Sequence, residues 1–372
     1  MELNHGLIHQ IYSLPELIRR QYADLEPKAR SVLDTPEIFG IQRIVLTGCG
    51  DSYAAGLSVR DTFAELTGLP VDVIPAIELS RTAHRSIFGF APNNPLVIAV
   101  SNSGSVVRMN EAIQRAAQYG AFTLAVTGNR KSELARVSSR IFDLSIPPFE
   151  AAPGTRSYVV SLMSLLLLAI RIGEVRGKFT MDHAMDMRND MLQQADELER
   201  SLPEIDRQMK LLAASWDRMD GFEFVGTGME FGTAWYCHAK VLEQLGKYAS
   251  YKNSEDWLHT NLFLRNTEKT AVIVFADQRN PADSRTKELI HYAVKLHRPV
   301  VVIGGEKMDV QQINVPVSAY YSNSCLTQFA PVSILLNYIA DLIGEKDGRG
   351  CEGVWKIAEG AGCIRNSKVE II

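Results

Sequence analysis

At 372 residues the chain is long for one domain and comfortable for two. Its make-up is that of an ordinary globular protein, 46% hydrophobic and 22% charged with a formal net charge of -4, and no basic stripe or polybasic tail marks a nucleic-acid binder. Five cysteines (Cys49, Cys237, Cys325, Cys351 and Cys363), an odd number without a CxxC pair, argue against a disulfide framework and a zinc site, so a reducing cytoplasm is expected, with no metal and no other cofactor.

The N-terminus, MELNHGLIHQ, lacks the apolar core of a signal peptide, and residues 1–40 read as a helical segment. Across residues 41–175, short β-branched runs alternate with helix-length stretches: RIVLTG, VDVIPA, LVIAVSNSG, FTLAVTG and RIFDLSI. Runs that are apolar throughout and spaced in this way indicate parallel strands buried on both faces. The longest apolar stretch, SYVVSLMSLLLLAI, lies between Arg156 and Arg171. It falls short of the roughly 18 to 20 residues that a bilayer span needs, so a buried helix is expected and no membrane partner. Residues 176–215 are charged, helix-prone and without strand pattern, and paired helices linking two domains are expected there. Residues 216–345 repeat the first scheme with FEFVGTG, YASYKN, TAVIVFAD, PVVVIGG and VPVS, and residues 346–372 form a tail. Both halves open on an apolar strand that ends in G-x-G (GCG, GTG) and leads into a helix, an internal duplication at the scale of a domain. The expected fold class is α/β, with two doubly wound, five-stranded parallel sheets in tandem, each a flavodoxin-like α/β/α sandwich.

In open parallel sheets, ligands bind at the carboxyl ends of the strands. The loop after LVIAV is Ser101-Asn102-Ser103-Gly104-Ser105, and an amphipathic helical pattern follows it. Three hydroxyls and a glycine at a helix N-terminus, where free N–H groups and the positive end of the dipole converge, favour a phosphate. One serine would serve as an N-cap, but a single cap does not need three. The stretch GCGDSYAAG after the first strand, with Gly50 and Ser52, signals less by itself, because glycine-rich strand-to-helix turns are common in such folds. Two such loops side by side at one sheet edge make the phosphate reading better than either alone.

With GCGDSYAAG, SNSGS and the later PGTRSYVVSLMSLLLLA, the chain resembles the sugar isomerase (SIS) domain family, whose members bind phosphosugars. Its tandem arrangement resembles the isomerase half of glucosamine-6-phosphate synthase and related phosphosugar deaminases and deglycases. The stretch from Gly226 to His259, GTGMEFGTAWYCHAKVLEQLGKYASYKNSEDWLH, lines up with that isomerase without a gap. The resemblance implies that Ser52, Ser101 and Ser103 hold the sugar phosphate, with Thr155 close by and Gly50, Asn102 and Ser105 completing the phosphate loops. It implies that Glu243 moves the proton between carbon 2 and carbon 1, that Lys240 is an active-site lysine, and that His259 opens the sugar ring from the partner subunit of a homodimer, which can in turn pair into a dimer of dimers. The tail IRNSKVEII resembles a C-terminal lid that would bring Lys368 over the open-chain sugar. Several positions depart from the family pattern. Val106 stands where a threonine is usual, Gly154 and Arg156 replace a serine and a lysine, Tyr236 replaces a glutamate, and Asp51 adds a carboxylate to the first loop.

The chemistry is coherent on its own terms. Interconverting an aldose and a ketose, or releasing an amine from an amino sugar, begins with ring opening and removal of a proton next to a carbonyl or imine. That step calls for a partly buried carboxylate as base. Glu243 and Lys240 are three apart on one helical face, so the lysine can poise the base or stabilise an enediolate oxygen. A solvated ion pair is the alternative for such spacing. His238 competes with His259 but lies off the face of Glu243. The second half has FADQR where the first has SNSG, so one sugar site per chain is expected, built from the cradle of the first domain and the acid–base groups of the second. With no glutaminase and no N-terminal cysteine nucleophile expected, three enzyme classes remain: hexosamine-phosphate deaminase, fructosamine-phosphate deglycase and aldose–ketose isomerase. The rival from another class is a non-catalytic sugar-phosphate sensor, although residues 1–40 show no basic recognition helix. A dehydrogenase is disfavoured, because GCGDSYAAG departs from G-x-G-x-x-G at its last glycine.

Overall fold

The computed structural model describes residues 6–89, 94–346 and 362–372. Cys351, the first five residues of the N-terminal segment and residues 347–361 of the tail lie outside the described residues. The N-terminal segment is helical as expected: α1 (Gly6–Tyr12), α2 (Leu14–Ser31) and α3 (Thr35–Gly40). The start of α3 is set by a capping box, in which Asp34 accepts from the Glu37 N–H and the Glu37 side chain accepts from the Asp34 N–H.

The β-branched runs then become strands in the order foreseen. The first sheet is assembled from β1 (Ile44–Gly48), α4 (Asp51–Thr67), β2 (Val71–Pro75), α5 (Ala76–Arg81), β3 (Leu96–Val100), α6 (Val107–Gln118), β4 (Phe122–Thr127), α7 (Glu133–Val137) and β5 (Arg140–Asp143). The strand order is β2-β1-β3-β4-β5 and every pairing is parallel. The interior strands β1, β3 and β4 are buried along their whole length, which is why they read as unbroken apolar runs, while the edge strands β2 and β5 are partly exposed. Successive residues serve opposite faces: Val45, Val97 and Ala99 pack with Met109 and Ile113 of α6, whereas Leu46 meets α4 at Gly56. The apolar stretch SYVVSLMSLLLLAI lies within α8 (Thr155–Val175), a core helix with 83% of its most apolar window buried.

Next comes α9 (Met181–Trp216), and here the expectation of paired helices is corrected, for the segment is one helix of 36 residues with Pro203 inside it. Proline removes one backbone hydrogen bond, yet the buried stripe Met191, Ala195, Leu198, Leu202, Ile205, Met209 and Leu212 passes straight through at helical spacing. Packing along an unbroken stripe outweighs one missing bond, and no glycine is present to end the helix.

The second sheet uses β6 (Gly221–Val225), α10 (Met229–Leu245), β7 (Tyr248–Lys252), α11 (Ser254–His259), β8 (Thr270–Ala276), α12 (Asp283–Lys295), β9 (Val300–Gly304) and β10 (Gln312–Ile313), followed by α13 (Ala330–Ile343) and, in the tail, α14 (Gly362–Arg365). Its strand order, read from the other edge, is β7-β6-β8-β9-β10, again all parallel, so the two sheets share one topology. The duplication extends to backbone torsions: the helix after each first strand is entered through a glycine in the same unusual conformation, Gly50 at φ 56 and ψ -129 and Gly228 at φ 63 and ψ -124. One strand is displaced from expectation. VPVS is not a strand, and the edge pairing falls instead on Gln312–Ile313. Pro316 has no N–H to give to a ladder, which leaves the preceding residues to pair.

The described residues divide into two compact units. One draws on residues 17–89, 94–148, 156–189 and 362–372 and holds the first sheet; the other draws on residues 6–16, 149–155 and 190–346 and holds the second.

Candidate active site

In a sheet of this order the chain leaves in opposite directions from β1 and β3, and the crevice between their carboxyl ends is where doubly wound folds take ligands. β1 ends at Gly48 and β3 at Val100, and these two residues are register partners. The loops carrying Gly50 and Ser52 and the residues Ser101 to Ser105 therefore start side by side, as expected. Ser52 lies half-buried in the first turn of α4.

The second loop is held by its own hydroxyls. The Ser101 N–H donates to the Val126 carbonyl at 2.9 Å and its Oγ accepts from the Gly104 N–H at 3.2 Å. Ser105 Oγ donates to Ser103 Oγ at 3.0 Å. The Asn102 carbonyl accepts from the Gly128 N–H at 2.9 Å, tying the loop to the end of β4. Gly104 is required twice over, by φ +62 and because a Cβ there would stand 2.1 Å from Ser132 Oγ. None of the three serines caps α6. The N-cap is Val106, which makes no side-chain cap bond, so the hydroxyls remain at the mouth of the helix rather than being spent on its end.

Thr155 lies in the other unit. It is fully buried, its Oγ1 donates to the Pro153 carbonyl at 3.2 Å and accepts from Tyr236 Oη at 3.1 Å, and its N–H donates to Gln10 at 3.1 Å. Lys368 lies in the unit that holds the first sheet. Its ammonium is exposed and pairs with Glu370 at 3.2 Å, and its carbonyl accepts from Arg108 of α6 at 2.5 Å.

In the second unit, Lys240 and Glu243 meet on α10, with Nζ 2.6 Å from Oε2. The lysine side chain is 1% exposed and its ammonium lies 5.0 Å from the centre of the Tyr236 ring, while the Glu243 side chain is 46% exposed. A buried amine thus presents a carboxylate to solvent. This asymmetry separates the pair from an ordinary surface ion pair, in which both groups are hydrated. His259 ends α11, with its side chain 71% exposed and Nε2 2.9 Å from Glu255. The helix that carries it is anchored from beneath: buried Glu223 of β6 accepts from Trp257 at 2.8 Å, Asn261 at 2.9 Å and Arg298 at 2.7 Å. His238, the competitor, is packed between Trp235 and Tyr251, and burial lowers its pKa. Among the described residues, no group of three or more His, Cys, Asp or Glu side chains is placed to hold a metal ion.

One residue of consequence was missed. Glu230 occupies in GTGMEF the place that Ser52 occupies in GCGDSY. It is 1% exposed and receives hydrogen bonds from Tyr321 at 2.7 Å, Asn280 at 2.7 Å and Gln328 at 3.3 Å. Where the first unit has a serine at the mouth of its crevice, the second has a carboxylate already surrounded by donors. Aligning the two G-x-G loops letter by letter reveals the exchange.

Comparison with known proteins follows the same outline. Residues 37–171 match the SIS domain model. The glutamine–fructose-6-phosphate aminotransferase (isomerizing) of Clostridium tetani is 26% identical over 296 residues, covering 77% of this chain and 47% of the relative. That of Gloeobacter violaceus is 24% identical over 353 residues, covering 90% and 56%. The chain thus spans about half the length of the curated relatives it matches. Among solved structures, the C-terminal domain of glucosamine-fructose-6-phosphate aminotransferase from Francisella tularensis superposes with a TM-score of 0.81 at 14% identity, covering 92% of this chain and 97% of that one. Tagatose-6-phosphate ketose/aldose isomerase from Escherichia coli gives 0.72 at 18% identity, covering 91% and 93%. These likenesses establish a shared two-sheet fold.

Proposed function

Because residues 37–171 are an SIS domain, we propose that this protein is a phosphosugar-processing enzyme that opens and enolises a hexose 6-phosphate or an amino-sugar or fructosamine phosphate. In this reading Gly50, Ser52 and the loop from Ser101 to Ser105 cradle the phosphate at the N-termini of α4 and α6. Glu243 is the base that removes the proton next to the carbonyl or imine. Lys240 holds the carboxylate and offsets the negative charge that develops on the enediolate oxygen. His259 assists ring opening, contributed within a homodimer, and Lys368 belongs to a tail that closes over the bound sugar.

The observation that carries the proposal is the Lys240–Glu243 pair, with its amine buried and its carboxylate half exposed. Such a group is available to a substrate proton while its partner stays fixed, and a purely structural pair has no need of that arrangement. Supporting it, the curated relatives are named as isomerizing aminotransferases, and solved neighbours of like fold include a ketose/aldose isomerase and a glucosamine-6-phosphate deaminase from Thermotoga maritima.

The test is exchange in deuterium oxide. Full-length protein is incubated with phosphorylated ketoses, aldoses, hexosamines and fructosamines, and NMR follows proton loss at carbon 1 or carbon 2. Exchange that Glu243→Gln abolishes is expected, and the sugar that exchanges distinguishes isomerase, deaminase and deglycase. Binding without exchange for any sugar would refute the enzyme and favour a regulatory sugar-phosphate sensor. Light scattering checks the assembly, since a monodisperse, active monomer is incompatible with a histidine supplied by a partner subunit.

A further inference from the structure

Resting on the enolisation reading above, we propose that Tyr236 is a positioning residue of the acid–base pair: the face of its ring holds the Lys240 ammonium, in its charged form, against Glu243.

Tyr236, Lys240 and Glu243 follow one another at i, i+4 and i+7 on α10 and so share one face of the helix. Helical side chains lean back toward the N-terminus of their helix, which lays Glu243 onto Lys240 and Lys240 onto Tyr236. The ammonium reaches Glu243 Oε2 at 2.6 Å and lies 5.0 Å from the centre of the Tyr236 ring. That ring is locked in place. It is fully buried, Phe329 meets it edge-on with ring centres 5.2 Å apart, and its hydroxyl donates to Thr155 Oγ1 at 3.1 Å. Thr155 is held in its turn, because Oγ1 donates to the Pro153 carbonyl at 3.2 Å and its N–H donates to Gln10 at 3.1 Å.

An aromatic face suits this place better than the alternatives. The lysine side chain is 1% exposed, so its ammonium has given up most of its water. Among aliphatic neighbours such a group is driven toward the neutral amine. A neutral amine neither fixes a carboxylate nor offsets charge on an enediolate oxygen. A second carboxylate beside it would keep the charge but compete with Glu243 for the ammonium. The electron-rich face of a tyrosine attracts the cation and leaves its ion pair to Glu243. Core packing accounts for a buried tyrosine, but not for a buried ammonium set over its face.

The experiment compares full-length wild type with Tyr236→Phe, and then gives that phenylalanine one, two and three ring fluorines, which draw electron density from the face at nearly constant volume. The readout is deuterium exchange at carbon 1 or carbon 2 of a ketohexose 6-phosphate, a hexosamine 6-phosphate and a fructosamine 6-phosphate, with kcat and KM measured separately and folding checked by thermal melts. Tyr236→Phe keeps the face and should hold kcat within about fivefold of wild type, the worth of one neutral hydrogen bond. From there kcat should fall with each fluorine, to about a tenth of the Tyr236→Phe value at three, the scale of a desolvated cation–π contact, while KM stays constant. Where Tyr236→Phe fails to fold, fluorinated tyrosines at the same position, which keep the hydroxyl, carry the comparison. A kcat that is flat across the series overturns the proposal, since shape and packing are alike in every member. A loss that falls on KM with kcat intact overturns it too. So does a Tyr236→Phe variant already down by about a hundredfold, which would give the role to the hydroxyl and Thr155. A wild type that exchanges none of the three sugars removes the enolisation reading and this inference with it, whereas a flat series in an active enzyme removes the inference alone.

Discussion

A lysine that is almost entirely buried, with an exposed carboxylate as its ionic partner, is costly to a protein, because removing an ammonium from water is repaid only in part by one contact. Lys240 accepts that cost beside the Tyr236 ring. Replacing it with methionine, similar in length and apolar, should leave thermal stability unchanged or raised, while isotope exchange falls by about a hundredfold or more, the scale on which acid–base groups act. Loss of stability and exchange together would mark Lys240 as a structural strut. Glu230 offers a second check, through pH. Burial raises its pKa above the usual 4.5, against the opposing effect of its Tyr321, Asn280 and Gln328 donors. A group whose folded-state pKa lies above its unfolded value contributes stability that is complete below the unfolded value and fades as pH rises through the folded one. Melting temperatures of wild type should therefore decline relative to Glu230→Gln as pH climbs from 4.5, and parallel profiles would contradict the assignment.

At the scale of elements, two substitutions separate backbone from packing. Gly104→Ala places a methyl group in a left-handed residue and against Ser132 Oγ, so it should destabilise the protein by about 1 kcal/mol or more and weaken phosphate binding together. Thermal melts and titration read the two effects, and a variant as stable as wild type would mean that the loop has another conformation. Pro203→Ala restores the N–H missing from the middle of α9 and should raise the melting temperature, the size of the gain lying below the roughly 3 kcal/mol that an interior proline costs. The same elements show what a sequence discloses. Interior strands such as Leu96–Val100 are legible because both faces must be apolar. VPVS misled because composition cannot tell an edge strand from an extended loop, and the segment 176–215 misled because its charge and helix propensity do not show the buried stripe that runs unbroken along α9. Within the candidate site, the i,i+3 spacing of Lys240 and Glu243 announced their contact. The tail was otherwise: Arg108 meets Ser367 across 259 positions, and no local pattern encodes such a meeting.

For the molecule as a whole, the duplication is faithful in backbone and divergent in side chains. Both sheets have the same strand order and matching glycines at their first turns, yet Ser52 in one copy answers to Glu230 in the other. In the second copy the Glu230 carboxyl group, held by three donors, stands where the first copy has a serine hydroxyl. Titration with inorganic phosphate should accordingly saturate at one equivalent per chain, and a second equivalent of similar affinity would show the second crevice to be open.

That exchange of one side chain also constrains how the protein answers its substrate. On the proposed reading of one sugar site per chain, a lone copy has no second site with which to cooperate and responds hyperbolically to rising ligand. Any sigmoidal dose–response must arise between copies, and its steepness should then vanish on dilution below the concentration at which they part.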